Sequence, residues 1–277
     1  MSGNQDQIDY WNGPAGKRWA EAQESMDRNL SSINDALFRF AGIKGGERVL
    51  DIGCGCGTTT LAFAEAAGPA GRVTGLDISA PMLGVARARA KSAAKPVEFL
   101  EADASVHSFK GDFDAVTSRF GVMFFSDPTK AFANIRKALK PGGRLAFVCW
   151  RAMPENAWAF APFAAAREFL PQPPPPDPYA PGPFAFADSA RLKSILEGAG
   201  FTNVKVEKLD TVMHMAASAK DAAQFSLGIG PLARAAAELD EATRAKIVER
   251  VAAAMAKFET PSGVTPPAAC WLVGASA

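Results

Sequence analysis

A glycine-rich turn between an apolar run and a helical pattern constrains the fold of this chain more than any other feature. The apolar run 49–52 precedes three glycines that alternate with cysteines. The glycines are Gly53, Gly55 and Gly57, and a helical pattern begins at Thr58. Such a turn allows a ligand to approach the backbone closely, and the N–H groups of a helix N-terminus favour an anionic group. The segment therefore predicts a strand, a ligand-binding loop and a helix of an α/β fold.

Strand and helix patterns alternate along the chain on both sides of this turn. Short runs rich in apolar or β-branched residues predict strands at 48–52, 72–76, 97–100, 113–117 and 144–150. The segments between them predict helices at 58–67, 81–91 and 129–139. Because repeated βαβ units build a mostly parallel sheet with helices on both faces, we expect an α/β architecture of this kind.

Other patterns flank this core. Residues 15–40 are helical, with a break near 29–32, and predict an N-terminal cover. Residues 151–187 begin with an aromatic helical pattern and continue into a proline run. This insertion is either a lid over a substrate or an extended surface linker.

The C-terminal part returns to regular structure. Asp188 is placed to cap a helix, and a strand is expected near 204–206. Residues 219–258 are alanine-rich and helical, and 268–273 predict a last strand. The predicted organisation is a helical cover at 1–40, a ligand-binding core at 41–150, a proline-rich insertion or lid at 151–187, and a C-terminal completion of the sheet with a helical insertion at 188–277.

Charge and composition exclude several classes of partner. The 30 lysines and arginines nearly balance the 29 aspartates and glutamates, and a net charge of +1 provides no field that attracts nucleic acid. The N-terminus lacks a basic segment followed by an apolar stretch, and no apolar run approaches the roughly 20 residues that span a bilayer. Four dispersed cysteines predict neither a disulfide framework nor a metal site. We therefore expect a cytoplasmic protein that binds neither nucleic acid nor metal.

Two details of the glycine turn select among nucleotide ligands. A dinucleotide fingerprint has the spacing G-x-G-x-x-G, but counted from Gly53 the third glycine position is occupied by Thr58. A carboxylate at Asp51 repels a pyrophosphate and suits a ligand with ammonium and sulfonium groups. The loop therefore favours S-adenosylmethionine over a nicotinamide dinucleotide, with the amino group held by loop carbonyls and the network around Asp51.

Two further carboxylates follow the second and third predicted strands. Asp77 stands 20 positions beyond Gly57, where a carboxylate accepts hydrogen bonds from both ribose hydroxyls. Asp103 suits the adenine amino group. The spacing of these residues predicts a nucleoside site.

Together with the turn at 139–145, these segments resemble the motifs of the class I S-adenosylmethionine-dependent methyltransferases over residues 48–150. The resemblance implies a Rossmann-like, mostly parallel seven-stranded sheet whose last strand is antiparallel, with S-adenosylmethionine as methyl donor. The residues expected to bind the donor are Asp51, Gly53, Cys54, Gly55, Asp77, Ile78, Met82, Asp103, Ala104 and Arg119. A core position is the alternative for Met82, and Arg119 can instead brace its loop or hold an acceptor anion.

Aromatic residues near the strand ends and in the flanking segments are the acceptor candidates. They are Tyr10, Trp11, Phe120, Phe124, Trp150, Trp158 and Phe160. His214 is the candidate general base, although transfer from a sulfonium needs none when the nucleophile is held in line. The sequence thus predicts in-line methyl transfer to a small, partly apolar or aromatic acceptor.

Two alternatives remain open at this level. The first is a nicotinamide-dependent oxidoreductase with a degenerate fingerprint, and the second is a non-catalytic module that binds S-adenosylmethionine. The identity of the acceptor and the atom methylated, oxygen, nitrogen, sulfur or carbon, do not follow from the sequence.

Overall fold

Seven strands form one central sheet, which is surrounded by helices. The computed structural model describes residues 4–93, 96–171 and 177–277. The strands of the sheet are β1 Arg48–Ile52, β2 Arg72–Asp77, β3 Val97–Glu101, β4 Phe113–Arg119, β5 Leu139–Trp150, β6 Thr202–Val212 and β9 Pro267–Ser276. A separate two-stranded pair consists of β7 Glu259–Thr260 and β8 Gly263–Val264.

The helices fall into three groups along the chain. The N-terminal group comprises α1 Gln5–Asn12, α2 Pro14–Glu21, α3 Gln23–Asn29 and α4 Ser31–Ala41. The core contains α5 Thr58–Ala67, α6 Ala80–Ser92 and α7 Pro128–Arg136. The C-terminal group comprises α8 Ala157–Ala166, α9 Ser189–Gly198, α10 Ala219–Gly228, α11 Pro231–Ala235 and α12 Glu241–Met255.

The sheet has the topology expected of a class I methyltransferase fold. Its strand order is β3-β2-β1-β4-β5-β9-β6. Strand β1 pairs in parallel with β2 on one side and with β4 on the other. Strand β9 lies antiparallel between β5 and β6, so the prediction of an antiparallel last strand is confirmed. The strand order reverses at β1, since β2 and β3 lie on one side of it and β4 and β5 on the other. At such a switch point a crevice opens beyond the carboxyl ends of the strands, and ligands of open α/β sheets bind there.

Strand β1 and helix α5 follow from local sequence. Val49 and Leu50 are fully buried, as expected for a parallel strand with both faces covered. Helix α5 begins after Gly57 and ends before Gly68, and both glycines have left-handed backbone angles, with φ values of +82° and +66°. Because glycine alone adopts these angles without strain, the helix has the predicted bounds.

One helical prediction was wrong in its extent, and a second helical region contains several helices. Helix α7 ends at Arg136, three residues before the predicted end, because the carbonyl of Ala138 already accepts a hydrogen bond from Phe113 at the start of β4. The segment 219–258, predicted to be helical, contains three helices, α10, α11 and α12. Gly230, with a φ of +103°, separates α10 from α11, and the Asp240 side chain caps the start of α12.

The insertion after β5 joins a helical layer. Helix α8 of the insertion packs against α10, α11 and α12, whereas α9 packs against α7 and β6. The predicted stiff proline run begins at Pro171, and its remainder, 172–176, lies outside the described residues. Within the described ranges, no helix combines the length and apolar character needed to cross a bilayer.

Candidate active site

A cavity of about 190 Å³ lies at the carboxyl ends of the parallel strands. Its floor is formed by the glycine turn after β1, by the ends of β2 and β4, and by the chain after β3. Residues of α1, α2 and α3 line its other side. The cavity therefore occupies the crevice predicted by the strand order, beneath the N-terminal helices.

The glycine turn touches the loop that follows β4. Gly53, Gly55 and Gly57 have φ values of +65°, +54° and +82°, a region that side chains disfavour. A Cβ atom built on Gly53 would lie 2.6 Å from the Cα atom of Gly121. The two loops thus approach each other so closely that neither position has room for a side chain.

The Asp51 carboxylate is enclosed and does not line the cavity. Oδ2 accepts hydrogen bonds from the hydroxyls of Thr59 and Thr60, at 2.6 and 2.7 Å, and Oδ1 accepts one from Thr117 at 3.2 Å. Burial raises the pKa of this carboxyl group, and the three hydroxyls oppose that shift. Asp51 therefore ties β1 to the start of α5 and to β4, and its enclosure leaves the carboxylate without direct access to the cavity.

Asp77 ends β2 and does line the cavity. Its Oδ2 accepts a hydrogen bond from the backbone N–H of Gly55 at 2.7 Å, and its Oδ1 accepts one from Ser79 N–H at 2.9 Å. Burial raises its pKa to about 6, with these hydrogen bonds acting in the opposite direction. The carboxylate thus holds the glycine turn in place while facing the cavity.

Asp103 lies beyond the end of β3, also on the cavity wall. Its Oδ1 accepts hydrogen bonds from the Ser105 hydroxyl at 2.7 Å and from the side chain of Asn4 at 3.3 Å. The Asn4 Oδ1 in turn accepts a hydrogen bond from Ser126 N–H at 3.1 Å. Asn4 thus connects the loops after β3 and β4, a link that sequence analysis did not identify.

The segment between α1 and α2 is bound to the loop after β2. The side chain of Asn12 donates to the carbonyl of Ile78 at 2.8 Å and accepts from Ala80 N–H at 2.9 Å. The Ser79 hydroxyl donates to the carbonyl of Trp11 at 2.7 Å. The Asn-Gly-Pro sequence is typical of a turn. It does not indicate that Asn12 binds the carbonyl of Ile78, which lies 66 positions away in the sequence.

Helix α3 makes a second polar contact with the glycine turn. Asp27 Oδ1 accepts a hydrogen bond from the Thr58 hydroxyl at 2.5 Å, and its Oδ2 lies 2.8 Å from Nη2 of Arg89. Arg89 Nη1 also donates to the carbonyl of Cys56 at 2.7 Å. Sequence analysis missed both charged residues, since their partners lie 31 or more positions away.

One wall of the cavity is aromatic. The rings of Phe120 and Trp150 are stacked, with centroids 4.1 Å apart, and Trp158 lies 4.8 Å beyond. Phe120 has a φ of +63°, which is strained for a residue with a side chain. Trp11 and Phe124 meet edge to face at 5.4 Å and line the cavity as well. The structure thus brings five of the seven acceptor candidates to the cavity.

Four predicted residues are not brought to the cavity, and the enclosed Asp51 is the first of them. Tyr10 and Phe160 are 42% and 45% exposed and are not among the lining residues. His214 follows the end of β6, where its neighbour Met213 faces the cavity and His214 itself does not. Among the described lining residues there is no histidine, and the charged ones are Asp27, Asp77, Asp103 and Arg119.

Comparison with known proteins agrees with this arrangement. A family model described as a methyltransferase domain matches residues 49–143. A demethylmenaquinone methyltransferase of Staphylococcus aureus is 30% identical over 208 residues, which cover 67% of this chain and 81% of that protein. A protein of the same name from Thermus thermophilus is 38% identical over 145 residues, but the match covers 50% of this chain and 66% of that protein. The matched region thus spans less than two thirds of the Thermus relative.

Solved structures share the fold at lower sequence identity. Phosphoethanolamine N-methyltransferase 2 of Haemonchus contortus, in complex with S-adenosyl-L-methionine, superimposes with a TM-score of 0.60 at 20% identity, covering 100% of this chain and 60% of that chain. The YcgJ protein of Bacillus subtilis gives a TM-score of 0.58 at 18% identity, covering 89% of this chain and 98% of that chain.

The contact between the two loops predicts a large effect of one methyl group. In Gly121→Ala the new Cβ would lie 2.7 Å from the Gly53 Cα atom and 2.8 Å from the Ile52 carbonyl oxygen. Because backbone atoms must move apart, we expect the free energy of unfolding to fall by about 1–3 kcal/mol, measured by chemical denaturation. Gly84→Ala is the control, since no atom lies within 4 Å of its added Cβ in α6. Gly84→Ala should itself be stabilised by about 0.5–1 kcal/mol, because alanine is favoured over glycine within a helix. If Gly121→Ala is as stable as the unmodified chain, the loops do not constrain each other.

Proposed function

Because this chain belongs to the class I S-adenosylmethionine-dependent methyltransferases, we propose that it transfers a methyl group to a small, largely apolar and aromatic acceptor. The aromatic wall beside the donor site is the observation that carries the proposal. A relative from Staphylococcus aureus is named for demethylmenaquinone, which is consistent with an acceptor of this kind. Membership of the family also sets aside the nicotinamide-dependent and non-catalytic alternatives.

The charged and glycine residues of the cavity fit the methyl donor. Three carboxylates and one guanidinium among the described lining residues favour a cationic ligand such as a sulfonium. Gly55 has only the Met82 Sδ atom near its Cβ direction, at 3.7 Å, so its backbone is accessible to a ligand. When bound, S-adenosylmethionine supplies a methyl group already activated on sulfur. In this arrangement Asp77 accepts hydrogen bonds from the ribose hydroxyls and Asp103 binds the adenine amino group.

The stacked pair Phe120 and Trp150 supports a planar acceptor. A left-handed backbone at a non-glycine residue costs on the order of 1–3 kcal/mol and persists where the surroundings impose it. Here the neighbouring Gly121 is packed against Gly53, which holds the backbone of Phe120 in this conformation. In that conformation the Phe120 ring stacks on Trp150 at the cavity wall. Aromatic rings bind other rings by offset stacking or edge contacts. Phe120, Trp150 and Trp158 thus provide a surface on which a flat apolar molecule can lie.

The same residues account for rate acceleration without an assigned base. Positive charge is dispersed as a methyl group leaves a sulfonium, so apolar walls that exclude water suit the reaction. Holding the acceptor nucleophile in line with the methyl group supplies several kcal/mol through orientation. With no histidine among the described lining residues, the acceptor must present a nucleophile that needs no imidazole to deprotonate it.

The donor assignment predicts a specific loss of affinity. Asp77→Ala should weaken binding of S-adenosylhomocysteine by about 1.5–3 kcal/mol, the scale of hydrogen bonds to a charged group. Isothermal calorimetry measures the affinity, and Asp240→Ala, a capping residue of α12 remote from the cavity, is the control. A folded Asp77 variant with unchanged affinity would contradict the ribose assignment.

The raised pKa of Asp77 predicts a pH dependence of donor binding. Its pKa of about 6 lies above the ordinary value, so the carboxylate that accepts the ribose hydroxyls is lost as the pH falls through 6. One pH unit below that pKa only about a tenth of the group is ionised, and we expect about tenfold weaker binding at pH 5 than at pH 8. Calorimetry at both pH values tests this. If Asp77→Asn retains the same pH dependence, another group is responsible.

The acceptor site is tested on helix α8, which offers a matched pair of residues. Trp158 is 7% exposed and lines the cavity, whereas Phe160 is 45% exposed on the same helix. Trp158→Ala and Phe120→Leu should lower kcat/KM for an apolar aromatic acceptor by about tenfold, because a ring contact is lost, while donor affinity is unchanged. Phe160→Ala should change neither quantity.

Transfer of a labelled methyl group from the donor provides the measurement for this test. 1,4-Naphthohydroquinone serves as the first acceptor and a metabolite extract as the second. Labelling of only polar, non-aromatic products in the extract would contradict the proposed acceptor class.

A further inference from the structure

We infer that Asp27 and Arg119 bind the amino-acid end of the methyl donor, Asp27 at the ammonium group and Arg119 at the carboxylate. The inference rests on the donor site proposed above and assigns the part of that site that Asp77 and Asp103 do not reach. It also makes helix α3, which lies outside the matched methyltransferase domain at 49–143, a component of the donor site.

A charged partner for the ammonium group must lie elsewhere than Asp51, because that carboxylate is enclosed. Asp51 is 0% exposed and already accepts hydrogen bonds from three hydroxyls. The carbonyls of the glycine turn are partly used as well. Cys54 O accepts a hydrogen bond from Gly57 N–H at 2.9 Å, and Cys56 O accepts one from Arg89 at 2.7 Å. The turn therefore offers the ammonium group neutral carbonyl acceptors, and the enclosed Asp51 does not offer it an accessible counter-charge.

Asp27 is the lining carboxylate that contacts the start of α5. Its side chain is 22% exposed, and it is bound to Thr58, the first residue of that helix, at 2.5 Å. Asp77 and Asp103 lie instead after β2 and β3, where the nucleoside is expected. The ion pair with Arg89 and a hydrogen bond from Gln23 at 2.6 Å hold the Asp27 carboxylate in place. Since an ionised carboxylate has about four acceptor sites, it can accept one further hydrogen bond.

Arg119 is a guanidinium without a counter-charge in contact. Within the described part of the chain it makes one hydrogen bond, from Nη1 to Asn34 Oδ1 at 2.9 Å, and no ion pair. It lines the cavity, and burial lowers its pKa, an effect opposed by the more distant charges of Asp27 and Asp51. Burying a cation without a partner is costly, and an anion bound beside it removes that cost. The donor carboxylate is such an anion, and guanidinium binds carboxylates in a bidentate geometry.

The two side chains are of opposite charge and act on each other across the same end of the cavity. Burial lowers the pKa of the Arg119 guanidinium, the carboxylates of Asp27 and Asp51 act to raise it, and Arg89 acts in the opposite direction to these carboxylates. Asp27 and Arg119 both line the cavity. A zwitterion placed there meets a negative group on α3 and a positive group at the end of β4. Donor binding therefore depends on the N-terminal helices as well as on the strand ends.

Three ligands separate the two contacts. S-adenosylhomocysteine carries both the ammonium and the carboxylate, its decarboxylated analogue carries only the ammonium, and methylthioadenosine carries neither. Each is titrated calorimetrically into the full chain and into Asp27→Asn and Arg119→Gln. Glu24→Gln is the matched control, because Glu24 is an exposed acidic residue on the same helix as Asp27.

Each variant is expected to affect a different subset of these ligands. Asp27→Asn should weaken binding of S-adenosylhomocysteine and of the decarboxylated analogue by about 10- to 100-fold, and leave methylthioadenosine unchanged. Arg119→Gln should weaken S-adenosylhomocysteine alone by a similar factor. Glu24→Gln should change none of the three affinities. Should Asp27→Asn fail to fold, Asp27→Ser provides an uncharged acceptor for Thr58 and takes its place.

Two results would overturn the inference and one would overturn its premise. Unchanged affinity for S-adenosylhomocysteine in a folded Asp27 variant shows that the ammonium is bound elsewhere. Equal weakening of all three ligands shows that Asp27 acts only by supporting the shape of the cavity. Failure of S-adenosylhomocysteine to bind the unmodified chain, in contrast, refutes the donor site itself.

Discussion

The close contact between the backbones of Gly53 and Gly121 is the constraint on which the site depends. It brings the loop after β1 against the loop after β4, at the point where the strand order reverses. One loop forms the glycine turn, and the other begins with Phe120, directly after Arg119 at the end of β4. The enclosed Asp51 carboxylate reinforces the contact, since it joins β1 to α5 and β4 through three hydroxyls. Residues for the donor and for the acceptor are thus positioned by one packing interaction.

The cavity combines two environments with opposite demands. Its charged residues gather at the strand ends and the glycine turn, and its aromatic residues come from the loop after β4, from the end of β5 and from α8. Sulfonium and ammonium groups require carboxylates, whereas displacement at a methyl group proceeds best where water is excluded. Helices α1 to α3 contribute to both parts, since Trp11 and Asp27 both line the cavity.

Sequence patterns predicted most of the fold because the signals are local. Helix α9 begins where Asp188 caps it, and α5 ends at Gly68, since capping and left-handed glycines act over a few residues. The loop residues of the site were predictable as well, because the glycine turn and the carboxylates at the strand ends are also local signals. Asp27 and Asn12 were not, because each acquires its role from a partner 31 to 66 positions away. His214 was misplaced as a candidate because residues near a strand end alternate in direction, and Met213 takes the inward position.

The hydrogen bonds that hold α1 to the loop after β2 also determine how this side of the cavity can open. Asn12 is bonded on both sides, to Ile78 and Ala80, and the Ser79 hydroxyl is bonded to the carbonyl of Trp11. Displacing α1 from this side of the cavity requires all three bonds to break. Because the three bonds join the same two short segments, this opening is a single cooperative event rather than a series of independent ones.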